Sequence, residues 1–238
     1  MNALDLLKEV VRESGVSSLS VPSTVVGLAA GSEMADLFRY VNAANKEICG
    51  KHAMLWKFLR SSFTINTVSA TAAYLPTAFT DTNLSASIVL TGFADWMPGT
   101  FKMYLNSAGV ATEQRLYPSY NWDVFRDRWQ LGTVTDAKPS TFAVRPNDNA
   151  IVFGAAPDAV YTVRGDYRRA APALALDADT PLFPERFHRA IVCLAVKKYA
   201  TFAELAGRYA AADAEYNGLM GDLERDQLPA LTTGRPLA

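Results

Sequence analysis

Two apolar stripes at helical spacing, held apart by a long strand-patterned interval, set the strongest limit on how this chain can fold. From Glu33 onward, Met34, Leu37, Phe38, Val41, Ile48, His52, Leu55, Trp56 and Leu59 trace one face of a long amphipathic helix, with Ser32 as its N-cap. Pro184 suits the first turn of a second helical stretch. There Phe187, Ala190, Ile191, Leu194, Ala195, Tyr199, Phe202, Leu205, Ala206 and Tyr209 fall at helical spacing. Gly207, Gly218 and Gly221 argue against one unbroken rod. This stretch therefore reads as a long kinked helix or two consecutive ones, ending near Asp226. A short helix over residues 3–14 places Leu4, Leu7, Val10 and Val11 on one face and ends at Ser14-Gly15. None of these stripes can be buried alone. The simplest solution is a small bundle of residues 1–60 and 185–227.

Between the stripes the pattern is short β-prone runs separated by Pro, Gly, Asn and Asp. The expected strands are 62–68, 87–93, 101–106, 113–117, 141–145, 151–153 and 160–168. Asn106-Ser107-Ala108-Gly109 reads as a hairpin connection. Pro157-Asp158 reads as the turn of a hairpin joining 151–153 to 160–167. Residues 120–130 interrupt the strands with a short helix. The expected class is α+β: the helical bundle, a β-rich insert at 61–170, a linker at 171–184 and an extended tail at 228–238. Two prolines and a glycine keep that tail from continuing the helix.

The residue inventory argues against most chemistry. Formal net charge is −1, which gives no electrostatic case for a dedicated nucleic-acid binder. The first residues alternate charged and apolar and lack the pattern of a secretory signal. No apolar run approaches a membrane span, so a soluble compartment is expected. Cys49 and Cys193 sit in apolar helical patterns and read as buried thiols. His52 and His188 lack any partner spacing that suggests zinc, so both read as structural. No Gly-x-Ser-x-Gly elbow or P-loop occurs. Asp177-Ala178-Asp179 reads as a solvated acidic turn ahead of a helix.

Several segments carry a resemblance. Trp56-Lys57-Phe58 closes a helix and leads into a strand. Ala72-Ala73-Tyr74-Leu75-Pro76 follows the first strand. Residues 177–192 form an acidic, Pro-x-x-Pro, Phe-His segment that opens the third helix. In that order they resemble the head–tail adaptor proteins of tailed bacteriophages, including the tail tubular protein A type. The resemblance implies a structural virion protein with no cofactor and no enzymatic activity. It implies a ring, usually of twelve copies, at the head–tail junction of a virion assembled in the host cytoplasm. Such a ring docks beneath the portal protein, extends the DNA channel and offers a surface to the tail or nozzle protein. DNA passes through without sequence-specific binding, and no membrane is involved.

Within that frame, Arg126, Arg128, Arg164, Arg168 and Arg169 are either intramolecular or solvated charges, or subunit–subunit ion-pairing residues. Leu228, Pro229, Leu231, Arg235, Pro236 and Leu237 suit a docking arm that orders on a partner, because proline lowers the entropy lost on docking. The alternative is a β-rich carbohydrate- or receptor-binding virion module. Trp56, Trp96, Trp122, Trp129 and the tyrosines leave it open, since interfaces and cores use the same residues.

Overall fold

A computed structural model of the chain describes residues 1–16, 20–82, 90, 92–132 and 134–229. The helices are α1 (Ala3–Ser14), α2 (Glu33–Lys51), α3 (Trp122–Trp129), α4 (Arg189–Phe202) and α5 (Ala206–Gln227). The strands are β1 (Arg60–Asn66), β2 (Ala73–Tyr74), β3 (Thr80–Asp81), β4 (Phe93–Leu105), β5 (Gln114–Arg115), β6 (Tyr117–Ser119), β7 (Thr141–Val144), β8 (Ile151–Phe153) and β9 (Tyr161–Arg169). The fold is α+β. One unit is Met1–Leu59 with the chain from Ala171 onward, and the other is Arg60–Ala170. Most of the strand expected over 87–93 lies outside the described residues.

In the helical unit, Asn2 and Asp5 form a capping box at the start of α1, and Gly15 ends it in the left-handed conformation. The Ser32 side chain caps α2 through the Ala35 amide at 3.2 Å. Leu37, Val41, Ala44 and Ile48 bury one face of α2. Nine side chains of α4 are buried, because α1, α2 and α5 all pack on it. Residues 171–184 hold no helix or strand, yet Leu174 and Phe183 belong to this core.

Two expectations about the stripes need correction. α2 stops at Lys51, so His52, Leu55, Trp56 and Leu59 lie beyond it. The Trp56 indole turns back and donates to the Ile48 carbonyl at 3.0 Å, satisfying one of the orphan acceptors of the helix end. Trp56 is buried and Leu55 is 53% exposed. The second stretch is two helices, and its break is not at a glycine. Gly207, Gly218 and Gly221 all lie within α5. The chain turns at Glu204, which has φ 56, and the Leu205 amide donates back to the Ala200 carbonyl at 2.9 Å. That six-to-one bond is the Schellman pattern. Phe202, 76% exposed, and the less exposed Leu205 and Tyr209 therefore leave the buried stripe.

The insert holds two sheets, with strand orders β3-β1-β9-β4-β5 and β2-β8-β7-β6. Their facing sides enclose Phe63, Trp96, Phe101, Met103, Phe142, Ile151, Phe153, Val163 and Tyr167. Gly165 lies where a Cβ would stand 2.7 Å from the Phe101 ring, so the absence of a side chain lets that ring pack on β9. The hairpin expected from 151–153 to 160–167 does not form. β8 pairs with β7 and β2, while β9 pairs with β1 and β4, so Pro157-Asp158 carries the chain from one sheet to the other. The hairpin partner of β8 is β7. Its turn is fixed by the Arg145–Asp148 ion pair and by Asn149 at φ 56.

Candidate assembly surfaces

Alternation along β9 sends Tyr161, Val163 and Tyr167 to the core, and places Thr162, Arg164, Asp166 and Arg168 on the opposite face. Register extends that outer face across the sheet. Thr64 of β1, Arg164 of β9, Lys102 of β4 and Arg115 of β5 stand opposite one another in a single row. Three adjacent cations repel. Glu113 relieves two of them, bonding the Arg164 guanidinium and lying 3.1 Å from Lys102 Nζ. Burial works to raise the Glu113 carboxyl, but these two hydrogen bonds outweigh it and hold it below the usual carboxylate range. Arg115 reaches the Gly99 carbonyl at 3.2 Å and has no carboxylate partner among the described residues. Further along, Asp166 accepts from Arg60 Nε at 2.9 Å and from the Ser62 hydroxyl at 2.6 Å. A cleft of about 480 Å³ opens on this face between Ser62, Thr64, Thr100, Tyr104, Arg164 and Asp166.

The opposite side of the insert is built by α3. Asn121 caps it through the Val124 amide at 3.1 Å. Phe125, flanked by Trp122 and Trp129, packs on Ala143 and Val152. Those two residues alternate with Phe142, Ile151 and Phe153, which face the main core. So α3 lies on the outer side of the second sheet. Its free face carries Asp123, Val124, Arg126, Asp127 and Arg128, all exposed, with exposed Tyr120 just ahead. Arg126 lies 3.5 Å from Asp123 and 3.2 Å from Asp127, and Arg128 sits over the Trp129 ring.

The five arginines singled out in the sequence are thus not one cluster. Arg126 and Arg128 lie on α3. Arg164 and Arg168 lie on the outer face of the first sheet, and Arg169 is half-buried at the end of β9. Burial pushes the Arg168 guanidinium down, and Asp95 opposes that shift. Lys102, Arg115 and Glu113 complete the basic row and were not singled out. No linear signal marks them, because three strands must pair before they meet.

In the helical unit a groove of about 610 Å³ lies among α2, α4 and α5, with Tyr40, Ala43, Leu194 and Tyr209 beside Arg39, Lys197 and Lys198. Of the residues assigned to a docking arm, Leu228 is half-buried against this unit's core and Pro229 is exposed. Leu231, Arg235, Pro236 and Leu237 lie outside the described residues.

The histidines, the Asp177–Asp179 pair and the cysteines make contacts within the fold. His188 is buried, with Nε2 2.9 Å from the Phe183 carbonyl and Nδ1 3.0 Å from that of Met1, and burial pushes its pKa down. His52 is half-buried, 3.0 Å from Glu224, rather than on a buried stripe. Asp177 and Asp179 are not simply solvated. Asp177 accepts from the Val25 amide at 2.6 Å and from the Thr24 hydroxyl. Asp179 accepts from the Ala175 and Leu176 amides, both at 2.7 Å, and those bonds lower its pKa. Cys49 and Cys193 are buried free thiols, each pushed up to about 12 by burial first of all. Among the described residues no three His, Cys, Asp or Glu side chains gather as a metal site, and no helix is long and apolar enough to cross a membrane.

Comparison with known proteins gives a match along nearly the whole chain. The model of the SU10 adaptor protein family fits residues 1–237. A solved structure, the neck of an empty GTA particle computed with C6 symmetry, aligns at 16% identity over 72% of this chain and 69% of that chain, with a TM-score of 0.23. No curated protein matches the chain.

Proposed function

This chain belongs to the SU10 adaptor protein family, and from that premise we propose that it is the repeating subunit of a ring docked beneath the portal. Its role is structural, that of a phage head–tail adaptor, and the family is not one of enzymes. In the proposed assembly twelve copies close the ring. The ring meets the portal protein on one side and the tail or nozzle protein on the other, at the head–tail junction of a virion assembled in the host cytoplasm. DNA passes through its channel without sequence-specific contacts. The observation that carries this reading is the family match across residues 1–237. The near-neutral charge agrees with it, because a channel that lets DNA slide should avoid a dense set of phosphate contacts.

The chain beyond α5, with Leu228, Pro229, Leu231, Arg235, Pro236 and Leu237, is the proposed docking arm. Leu228 anchors its base on the helical core. The test is co-sedimentation with the portal of the same phage, using the full-length protein and a variant lacking residues 229–238. The full-length protein should bind. The variant should bind about tenfold or more weakly, with its melting temperature unchanged. Failure of the full-length protein to bind would remove the adaptor reading. Equal binding by both would remove only the arm.

A further inference from the structure

We infer, resting on the ring reading above, that neighbouring copies meet through the two outer faces of the insert. In this arrangement α3 of one copy seats on the polar face of the first sheet of the next. A cyclic ring of more than two copies needs a heterologous interface, in which two different patches of one subunit meet. The layers of the insert supply such patches on opposed surfaces: the polar face of the first sheet, then the core, the second sheet and α3.

The chemistry of the two faces fits. The sheet face carries the row Arg164, Lys102, Arg115, and one carboxylate serves the first two. The side chains of Lys102 and Arg115 stand on neighbouring strands about 5 Å apart. On α3, Asp123 and Asp127 are an i,i+4 pair, which sets their Cβ atoms about 5–6 Å apart on one face of the helix. Their side chains are 77% and 61% exposed. Within one copy both share the exposed Arg126, and in the interface they exchange that shared partner for two cations at matching spacing on adjacent strands. Exposed Val124 and Tyr120 supply the apolar part of the contact. Half-buried Tyr104, beside Arg164 in the cleft, is their counterpart. A DNA track is the weaker occupant, since Asp166, Glu113 and Asp95 share the sheet face with its cations.

The test uses the full chain co-expressed with its portal and oxidised under mild conditions. Arg115→Cys and Asp127→Cys are introduced singly and together. Both positions are exposed, and the native thiols are buried. The double variant should give a ladder of disulfide-linked oligomers, and each single variant should give none. Rings seen by electron microscopy without a ladder would overturn this interface and leave the adaptor reading standing. Absence of rings even for the unaltered chain would remove both. A disulfide-linked dimer from either single variant would mean like faces meet, and would also overturn it. So would retardation of a short DNA duplex by the purified protein that Arg115→Glu abolishes.

Discussion

His188 shows how one buried side chain ties acid sensitivity to the helical unit. Its neutral ring donates one N–H, from Nε2 to the Phe183 carbonyl, while Nδ1 lies 3.1 Å from the Met1 ammonium and accepts from it, and burial holds its folded-state pKa below the ordinary histidine value of 6.5. The unfolded chain therefore binds the proton more readily than the fold. The stabilising contribution is full above the ordinary histidine range, and is lost as pH falls through it toward the folded value. Thermal melts of the wild type should thus fall between pH 7 and pH 5. His188→Gln should melt lower at pH 7, by about 1–3 kcal/mol, and should show a shallower acid drop. A wild-type curve flat across that range would contradict the assignment. Gly165 is the second sensitive position. A methyl there would stand 2.7 Å from Phe101 and 3.1 Å from Phe63, rings that are fully buried and cannot yield cheaply. Gly165→Ala should cost about 1–3 kcal/mol in chemical denaturation, and no measurable loss would mean the aromatic core is looser than described.

At the level of elements, the boundaries of α2, α4 and α5 are the features most open to test. If α2 ends at Lys51, Ile48→Ala should cost about 2–5 kcal/mol, while Leu55→Ala should stay within about 0.5 kcal/mol. Comparable losses at both positions would restore the longer helix. At the α4–α5 turn, Glu204 holds a left-handed backbone that glycine adopts without penalty. Glu204→Gly should therefore stabilise by roughly 0.5 kcal/mol, the strain relieved being partly offset by unfolded-chain entropy. A destabilised variant would count against that turn. These elements also mark what the sequence could reveal. Ser32, the Ser14-Gly15 stop and the helix after Asn121 were legible because caps and periodicity are local signals. The ends of the two stripes were not. Helical spacing continues past Lys51 and Phe202, while the backbone turns for reasons held elsewhere in the fold, one of them the Trp56 indole. The pairing of β8 with β7 was hidden as well. Pro157-Asp158 looks like a hairpin turn whether it returns a strand to its own sheet or hands it to another. Of the candidate surface, the five exposed or half-exposed arginines on α3 and β9 could be named, but not the row that Lys102 and Arg115 complete. That row exists only after register is set.

For the whole molecule, the family match gives a structural role. The insert presents opposed faces of differing chemistry, and the helical unit carries the start of the proposed arm. Both are what a subunit needs if it joins copies of itself around an axis while gripping a partner along it. The account's central claim is that this chain closes into a ring on a portal. Electron microscopy of the purified chain mixed with the portal of its own phage measures that directly. The expected result is a closed ring of this protein, coaxial with the portal and open along the axis for duplex DNA. Portals left bare, or decorated by scattered single copies that never close, would contradict the account.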